Sequence, residues 1–461
     1  CQIMFLLSQL TICNETVLPP SIVLLVTSGM GPAHLEAARL IEHGSSKMSA
    51  FKQFKELRIL STQNFNAKLT DQAAAQTAIA TGIKVPNGHF AFDHKKRLLT
   101  NFVELLRLQH PEYLSGVISK LPLARLGAFL GHSNSIDDSE ILKSIHEYAK
   151  ADLILSGGNQ NLNQFKELGW NVINSQDYEK DTSILEKTKL PLLGTFSEGE
   201  LIPQIQQNED TWKKQPNISY LMQMAIQKFD QHPFFLAVQL GTDQKSFLIS
   251  KNISALAGEA IEADYLVQQL LDLQKKQPNL HILQVSDCEL AGLAVQDHLD
   301  DINQLPIPDQ LSPLSQINLQ RQLRISKLNL TKSTDLVTNA PVLFAGTGPI
   351  FKNKVTQGMT ALEDVFKVMV RIVNGRFEEV RPFDKVIKNK KGMFDNRPYN
   401  KTVEPVEPKP EVQSVNVGLC VGLGILGGLV IASIMVIGFV LVKKYSKRAN
   451  KGHIPLMDVQ Q

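Results

Sequence analysis

The chain has 461 residues, of which 43% are hydrophobic and 20% charged, with a formal net charge of +3. These are the proportions of a globular protein with room for one large domain or two ordinary ones. So small a charge over this length argues against a nucleic-acid or strongly acidic partner. Part of the excess is local, in Lys443, Lys444, Lys447, Arg448 and Lys451 near the C-terminus.

In chain order, Ile3 to Ile12 is a short apolar run followed by polar Asn14 and Glu15. It is too short to span a bilayer and suits the apolar centre of a signal peptide, expected over residues 1–13 and truncated at its start. From Ser21 onward, short apolar runs alternate with helix-like stretches. Strands are expected at Ile22 to Val26, Gly116 to Ile118, Leu153 to Leu155, Phe234 to Val238, Ile282 to Val285 and Val342 to Phe344. The helical patterns between them fall at Asp71 to Thr81, Glu140 to Ala149, Ile218 to Phe229, Ala257 to Gln274 and Ala361 to Val373. Apolar strands alternating with helices predict an α/β fold whose sheet is mostly parallel and covered on both faces.

Around Pro382 the composition turns basic and then rich in Pro, Glu and Lys, so the folded domain is expected over residues 14–384 and a stalk over 385–416. Val417 to Val442 then runs without a charge. At about 1.5 Å per residue it reaches ~39 Å, enough to cross a hydrocarbon core of about 30 Å. The basic cluster behind it places residues 443–461 in the cytoplasm, giving a single-pass type I membrane protein of the cell surface or a secretory or endosomal compartment. Gly418 with Gly422, and Gly424 with Gly428, are GxxxG pairs that would let two copies form a homodimer. In the tail, Tyr445 and the Ile454-Pro455-Leu456 stretch are candidate sorting signals, against an unstructured tail with none.

Cys1 and Cys13 fall in the expected signal and Cys420 in the span, so Cys288 alone remains for the domain and no disulfide framework is expected. Sequons at Asn14, Asn217, Asn252, Asn329 and Asn400 are glycosylation candidates in the luminal or extracellular orientation.

The segment from Asp71 to Gly82, DQAAAQTAIATG, resembles the alkaline phosphatase segment DSAASATALATG. Further landmarks follow in that family's order. Ser28-Gly29-Met30-Gly31 resembles DGMG, and Gly116-Val117-Ile118 with Gly131-His132-Ser133 resembles the GVVTT to AHS stretch. Ala151 to Gly158 resembles VDVILGGG, Phe234 to Gly241 resembles FFLMVEGG, and Ser286 to Leu293 resembles ADHETGGL. Phe344 to Pro349 resembles the FAxGP run with one residue inserted. The resemblance covers roughly Val23 to Val373. It implies a three-layer αβα sandwich around a mostly parallel sheet, and a phosphoric monoester hydrolase using two zinc ions, magnesium, a serine nucleophile and an arginine that grips phosphate.

Carried over position by position, that apparatus is largely missing. The nucleophile falls at Gln72, the first-strand metal aspartate at Ser28, and the magnesium glutamate at Gln239. The aspartate of ADH is kept as Asp287, but its histidine is Cys288. The following D-x-x-x-H pair meets Thr242 to Phe247, which contains no histidine, with Asp243 as its aspartate only after a one-residue deletion. The phosphate arginine falls at Ile136, and the upstream ligand positions at Leu123 and Arg125. No histidine occurs between Leu299 and Gly452 to supply the late zinc ligand. Because a metal site needs three or four donors, no cofactor is expected.

His132 matches a family histidine that frames the site, Ser28 lacks a visible base, and Gln72 at a helix start is suited at most to weak anion binding. Three readings follow: a catalytically inactive pseudophosphatase kept for binding or scaffolding, a divergent phosphate monoesterase with a rebuilt metal site, and a surface or sorting receptor.

Overall fold

The computed structural model describes residues 19–43, 49–158, 162–202, 209–242, 253–296, 319–321, 323–324, 328–334, 337–353, 355–375 and 386–400. The chain divides into two compact units, Cys1–Asn400 and Lys401–Gln461, and every described residue lies in the first. The expected signal segment, Asn14, Asn252, the stretch from Asp243 to Phe247, the span Val417 to Val442 and the tail with Tyr445 and Leu456 lie outside the described residues. Among the described residues no helix is long and apolar enough to cross a membrane.

Nine strands form one sheet: β1 (Ser21–Ser28), β2 (Glu56–Leu60), β3 (Leu114–Pro122), β4 (Leu153–Gly157), β5 (Asn171–Asn174), β6 (Leu192–Thr195), β7 (Phe234–Gly241), β8 (Leu280–Val285) and β9 (Val342–Thr347). Their order is β2-β9-β8-β1-β7-β3-β4-β6-β5. All pairs from β8 to β5 are parallel, and only β9 runs antiparallel, to β8 and β2. The six expected strands all lie in this sheet. The three that were missed, β2, β5 and β6, are short and at or near the edges. In β2 (ELRIL) alternate residues are exposed, so its apolar content gives no continuous run.

Strand alternation divides the interior into two cores. Ile22, Leu24 and Val26 of β1, with Phe235 and Ala237 of β7 and Leu283 and Val285 of β8, face one core. Val23, Leu25, Leu236, Val238 and Ile282 face the other. Helices Gln72–Thr81, Phe102–Gln109 and Glu363–Asn374 cover the first face, and helices Pro32–His43, Ile218–Phe229 and Ile253–Lys276 the second. The parallel strands are buried on both faces, which explains their continuous apolar runs.

The folded unit extends past the boundary expected at residue 384. Residues 386–400 pack on the domain through Arg397, which is 2% exposed. Its Nε donates to Asp152 Oδ1 at 2.7 Å, its Nη2 donates to Asp152 Oδ2 and to the Tyr113 carbonyl, and its Nη1 donates to the Pro111 carbonyl at 2.8 Å. Phe394 meets the buried Trp170 edge-on, with ring centroids 5.0 Å apart. The polar composition that reads as stalk thus hides two anchors, an arginine and a phenylalanine, too sparse to give a periodic pattern. Removing Arg397 would leave the buried Asp152 carboxylate to the more distant Arg107, 3.5 Å away, and loss of one partner of a buried ion pair is strongly destabilising. Arg397→Met should therefore destabilise the domain by about 3–5 kcal/mol, measured as the shift in urea unfolding. A change below about 0.5 kcal/mol, the range of ordinary surface substitutions, would show that the segment is not an anchor.

Candidate functional site

The register of the sheet brings four polar side chains together at the carboxyl ends of its central strands. Ser28 ends β1, Gln239 lies near the end of β7, and Ser119 of β3 is the register partner of Gln239. Asp287 lies two residues beyond β8. All four follow the parity of the first core, so they project toward the face that carries the Gln72–Thr81 helix.

That helix is built for close approach. Alanines dominate it, giving high helix propensity with little bulk. Asp71 caps its start, accepting from the Ala74 N–H at 2.8 Å and from the Gly88 N–H at 2.6 Å. Gly82 ends it at φ +75°, where a Cβ would sit 2.9 Å from the Phe366 ring, so a residue with a side chain would push the helix off its neighbour. On the opposite side of the site Gly241 follows Gln239 at φ +92°, and a Cβ there would lie 2.1 Å from the Ser28 carbonyl. These glycines hold helix and strands near enough for short side chains to meet.

What meets there is a chain of side-chain hydrogen bonds. Ser119 Oγ donates to Gln239 Oε1 at 3.0 Å, Gln239 Nε2 donates to Ser28 Oγ at 3.0 Å, and Ser28 Oγ donates to Asp287 Oδ2 at 2.7 Å. Gln76, one helical turn beyond Gln72, donates its Nε2 to the same Asp287 oxygen at 3.2 Å. The Gly29 N–H donates to Asp287 Oδ1 at 3.2 Å. Gln72 itself donates to the Thr242 carbonyl at 3.3 Å, tying the helix start to the end of β7.

Burial pushes the Asp287 carboxyl above its ordinary value, against the hydrogen bonds from Ser28, Gln76, Cys288 and Gly29. Burial, and then the charge of Asp287, pushes the Cys288 thiol well up. Cys288 lies in a small apolar cluster with Leu256, Leu290, Ala291 and Val337, an environment that suppresses the reactive thiolate.

The other sequence-derived candidates do not join this network. His132 is buried, with Nε2 2.9 Å from Glu104 Oε1 and Nδ1 3.1 Å from the Ala91 carbonyl. Leu123 is buried, Arg125 pairs with Asp138 at 2.8 Å, and Ile136 is 70% exposed. Asn217 is 4% exposed, and its side chain accepts from the Tyr220 N–H at 2.7 Å to cap helix Ile218–Phe229. That burial argues against the expected glycan at Asn217 in the folded domain. Asn329 begins the short strand Asn329–Thr331, and Asn400 is exposed with its Nδ2 donating to the Phe394 carbonyl at 2.9 Å.

Sequence reasoning missed Gln76 and Ser119. Gln76 was legible as a departure, an amide where the quoted family segment has alanine. Ser119 reveals itself only through its register with Gln239. Also missed was a charged cluster on the opposite face, where buried Lys120 of β3 forms ion pairs with Glu259 and, at 3.6 Å, with Glu262. Burial alone would lower the Lys120 pKa, but the two carboxylates outweigh it and hold the ammonium above its ordinary value.

The donor set does not fit the zinc and magnesium ions that the resemblance implies. A divalent cation needs several unprotonated donors around it. Among the described residues the network holds one carboxylate, both of its oxygens already accept hydrogen bonds, and amide N–H groups are directed at the network. Among the described residues, no group of three His, Cys, Asp or Glu side chains could hold a metal ion.

The raised Asp287 pKa has a definite sign. The folded state binds this proton more tightly than the unfolded chain, so its contribution to stability is full below about 3.8, the ordinary carboxyl value. It is lost as pH rises through the folded value. Asp287→Asn should flatten the fall in unfolding free energy above pH ~4, seen in urea titrations of both proteins across that range. Parallel curves for variant and wild type would contradict the assignment.

Comparisons with known proteins agree with this fold. The family model "Alkaline phosphatase" matches residues 20–119. Alkaline phosphatase 3 of Bacillus subtilis is 23% identical over 296 residues, covering 60% of this chain and 62% of its own length. Alkaline phosphatase H of Pseudomonas aeruginosa is 21% identical, covering 77% of this chain and 85% of its own length. The chain thus spans about three-fifths of the first curated relatives it matches. Among solved structures, the alkaline phosphatase of the Antarctic bacterium TAB5 superposes with TM-score 0.60 at 16% identity, covering 78% of this chain and 99% of its own. The cold-active enzyme of Shewanella sp. gives TM-score 0.61 at 19% identity, covering 77% of this chain and 99% of its own.

Proposed function

Taking as premise that this chain is an alkaline phosphatase-like family member, we propose that it is a catalytically inactive pseudophosphatase whose domain serves binding or scaffolding. The observation that carries this reading is Asp287. This residue, which matches a family ligand position, gives both of its oxygens to Ser28, Gln76 and Gly29. An amide at Gln72 cannot form a phosphoseryl intermediate, and a phosphate-gripping arginine is replaced by exposed Ile136. Losing a nucleophile or a charge-stabilising donor each removes powers of ten in rate. No metal cofactor is part of the proposal.

The span Val417 to Val442 and the basic residues after it support a single-pass, C-in orientation for the proposed function. The domain would then face the lumen or the cell exterior, where Asn400 is a candidate for glycosylation, and the GxxxG pairs support a homodimer. A divergent phosphate monoesterase is the alternative that most directly opposes this reading.

The two are separated on purified protein by zinc and magnesium content together with p-nitrophenyl phosphate hydrolysis from neutral to alkaline pH. The proposal expects substoichiometric metal and turnover no faster than buffer. Stoichiometric zinc with turnover that disappears in Asp287→Ala would overturn it and establish a rebuilt active site.

A further inference from the structure

Away from the strand ends, a cleft of about 610 Å³ opens among four short elements on the side of the second core, and Tyr178, Glu186, Trp212, Asn217 and Tyr220 are among its lining residues. We propose that it is a carbohydrate-binding site that receives a neutral pyranose ring of a glycan, stacked on Trp212. The inference holds whether or not the chain hydrolyses phosphate esters, because none of these residues belongs to the Asp287 network.

The lining combines a flat apolar surface with fixed polar groups. The chain has two tryptophans. Trp170 is buried, whereas Trp212, on helix Glu209–Lys214, is 41% exposed. Tyr220 adds a second ring, and its hydroxyl donates to Glu186 Oε1 at 3.1 Å, which fixes both groups at the wall. Tyr178 is held from behind by Phe196, with ring centroids 5.9 Å apart. Asn217, buried at the edge of the cleft, is held by its capping bond to the Tyr220 N–H and so helps to fix the wall. The cleft therefore presents aromatic faces, the Glu186 carboxylate and the hydroxyl of Thr182, with Tyr220, Glu186 and Tyr178 held by the contacts above.

That chemistry selects among ligand classes. A pyranose offers a C–H face for an aromatic ring and a rim of hydroxyls that both donate and accept, the pairing of apolar body and polar edge that Trp and Tyr serve well. A nucleotide would bring phosphate toward Glu186, against Lys213 as the cationic lining residue, a poor balance for a dianion. An acyl chain would desolvate the Glu186 carboxylate while offering it no hydrogen bond. The size falls within the range of small-molecule sites, large enough for two or three sugar rings.

The test uses the whole purified protein, titrated with di-N-acetylchitobiose, cellotriose and maltotriose up to about 10 mM, the weak-binding range. Saturation-transfer NMR reports contact with each sugar, and tryptophan fluorescence reports Trp212 against the buried background of Trp170. Saturation transfer to at least one sugar is expected, with a blue shift of the emission. Trp212→Ala should weaken binding about tenfold or more, the effect of removing a stacking anchor, while Trp212→Phe retains most of it. Circular dichroism and thermal melts of both variants report whether the fold is kept, the side chain being 41% exposed rather than part of the buried core. Absence of transfer to all three sugars, or transfer that persists unchanged in a folded Trp212→Ala variant, would overturn the proposal. Should Trp212→Ala not fold, Tyr220→Leu provides the same reading from the opposite wall, and unchanged binding there has the same meaning.

Discussion

A single buried carboxylate organises the carboxyl end of this sheet. Asp287 is removed from water, and among the described residues its cost is met by donors from two separate parts of the chain: Ser28 with the adjacent Gly29 N–H at the end of β1, and Gln76 on the helix Gln72–Thr81. An unpaired buried charge is among the most expensive features a fold can carry. The close approach enforced by Gly82 and Gly241, the choice of serine at position 28 and the amide at position 76 all follow from satisfying it. The chain of bonds continues through Gln239 to Ser119, so that β1, β3, β7 and the residues after β8 are locked together by polar side chains as well as by ladder hydrogen bonds.

In this alkaline phosphatase-like fold the strand ends carry hydrogen-bond donors directed at one carboxylate. Where a metal centre requires lone pairs converging on a point, these side chains present N–H and O–H groups that converge on a carboxylate. Ser28 and Gln76 direct their donors at Asp287, while Gln239 donates to Ser28 and Gln72 to the Thr242 carbonyl. These hydrogen bonds tie the strand ends to one another and to the helix Gln72–Thr81. On the opposite face of β3, Lys120 with Glu259 and Glu262 solves a similar problem by ion pairing. Two adjacent residues of one strand, Ser119 and Lys120, thus anchor two unrelated polar clusters on the two sides of the sheet.

The central strands were legible because they are buried on both faces, and a parallel strand so placed must be a continuous apolar run. Edge strands β2 and β5 alternate or shorten and leave no such trace. Helix boundaries followed the apolar period, as at Ile218–Phe229. The segment 386–400 was read as linker because its attachment depends on Arg397 and Phe394, and two anchors in a polar stretch make no pattern. At the site, the positions of Ser28, Gln72, Gln239 and Asp287 came from motif order, but their mutual hydrogen bonds depend on strand register, which sequence does not state. Gln76 shows the limit most clearly. It was visible as an unusual residue in an alanine-rich helix, yet its partner lies 211 residues away.

The most direct test of the account is a crystal of the protein grown with zinc, with an anomalous difference map collected at the zinc edge. The account predicts no peak within bonding distance of Asp287, with Gln76 Nε2 and Ser28 Oγ still directed at its carboxylate. A peak coordinated by Asp287, with the Gln76 amide displaced, would contradict it and return the chain to the metal-dependent members of its family.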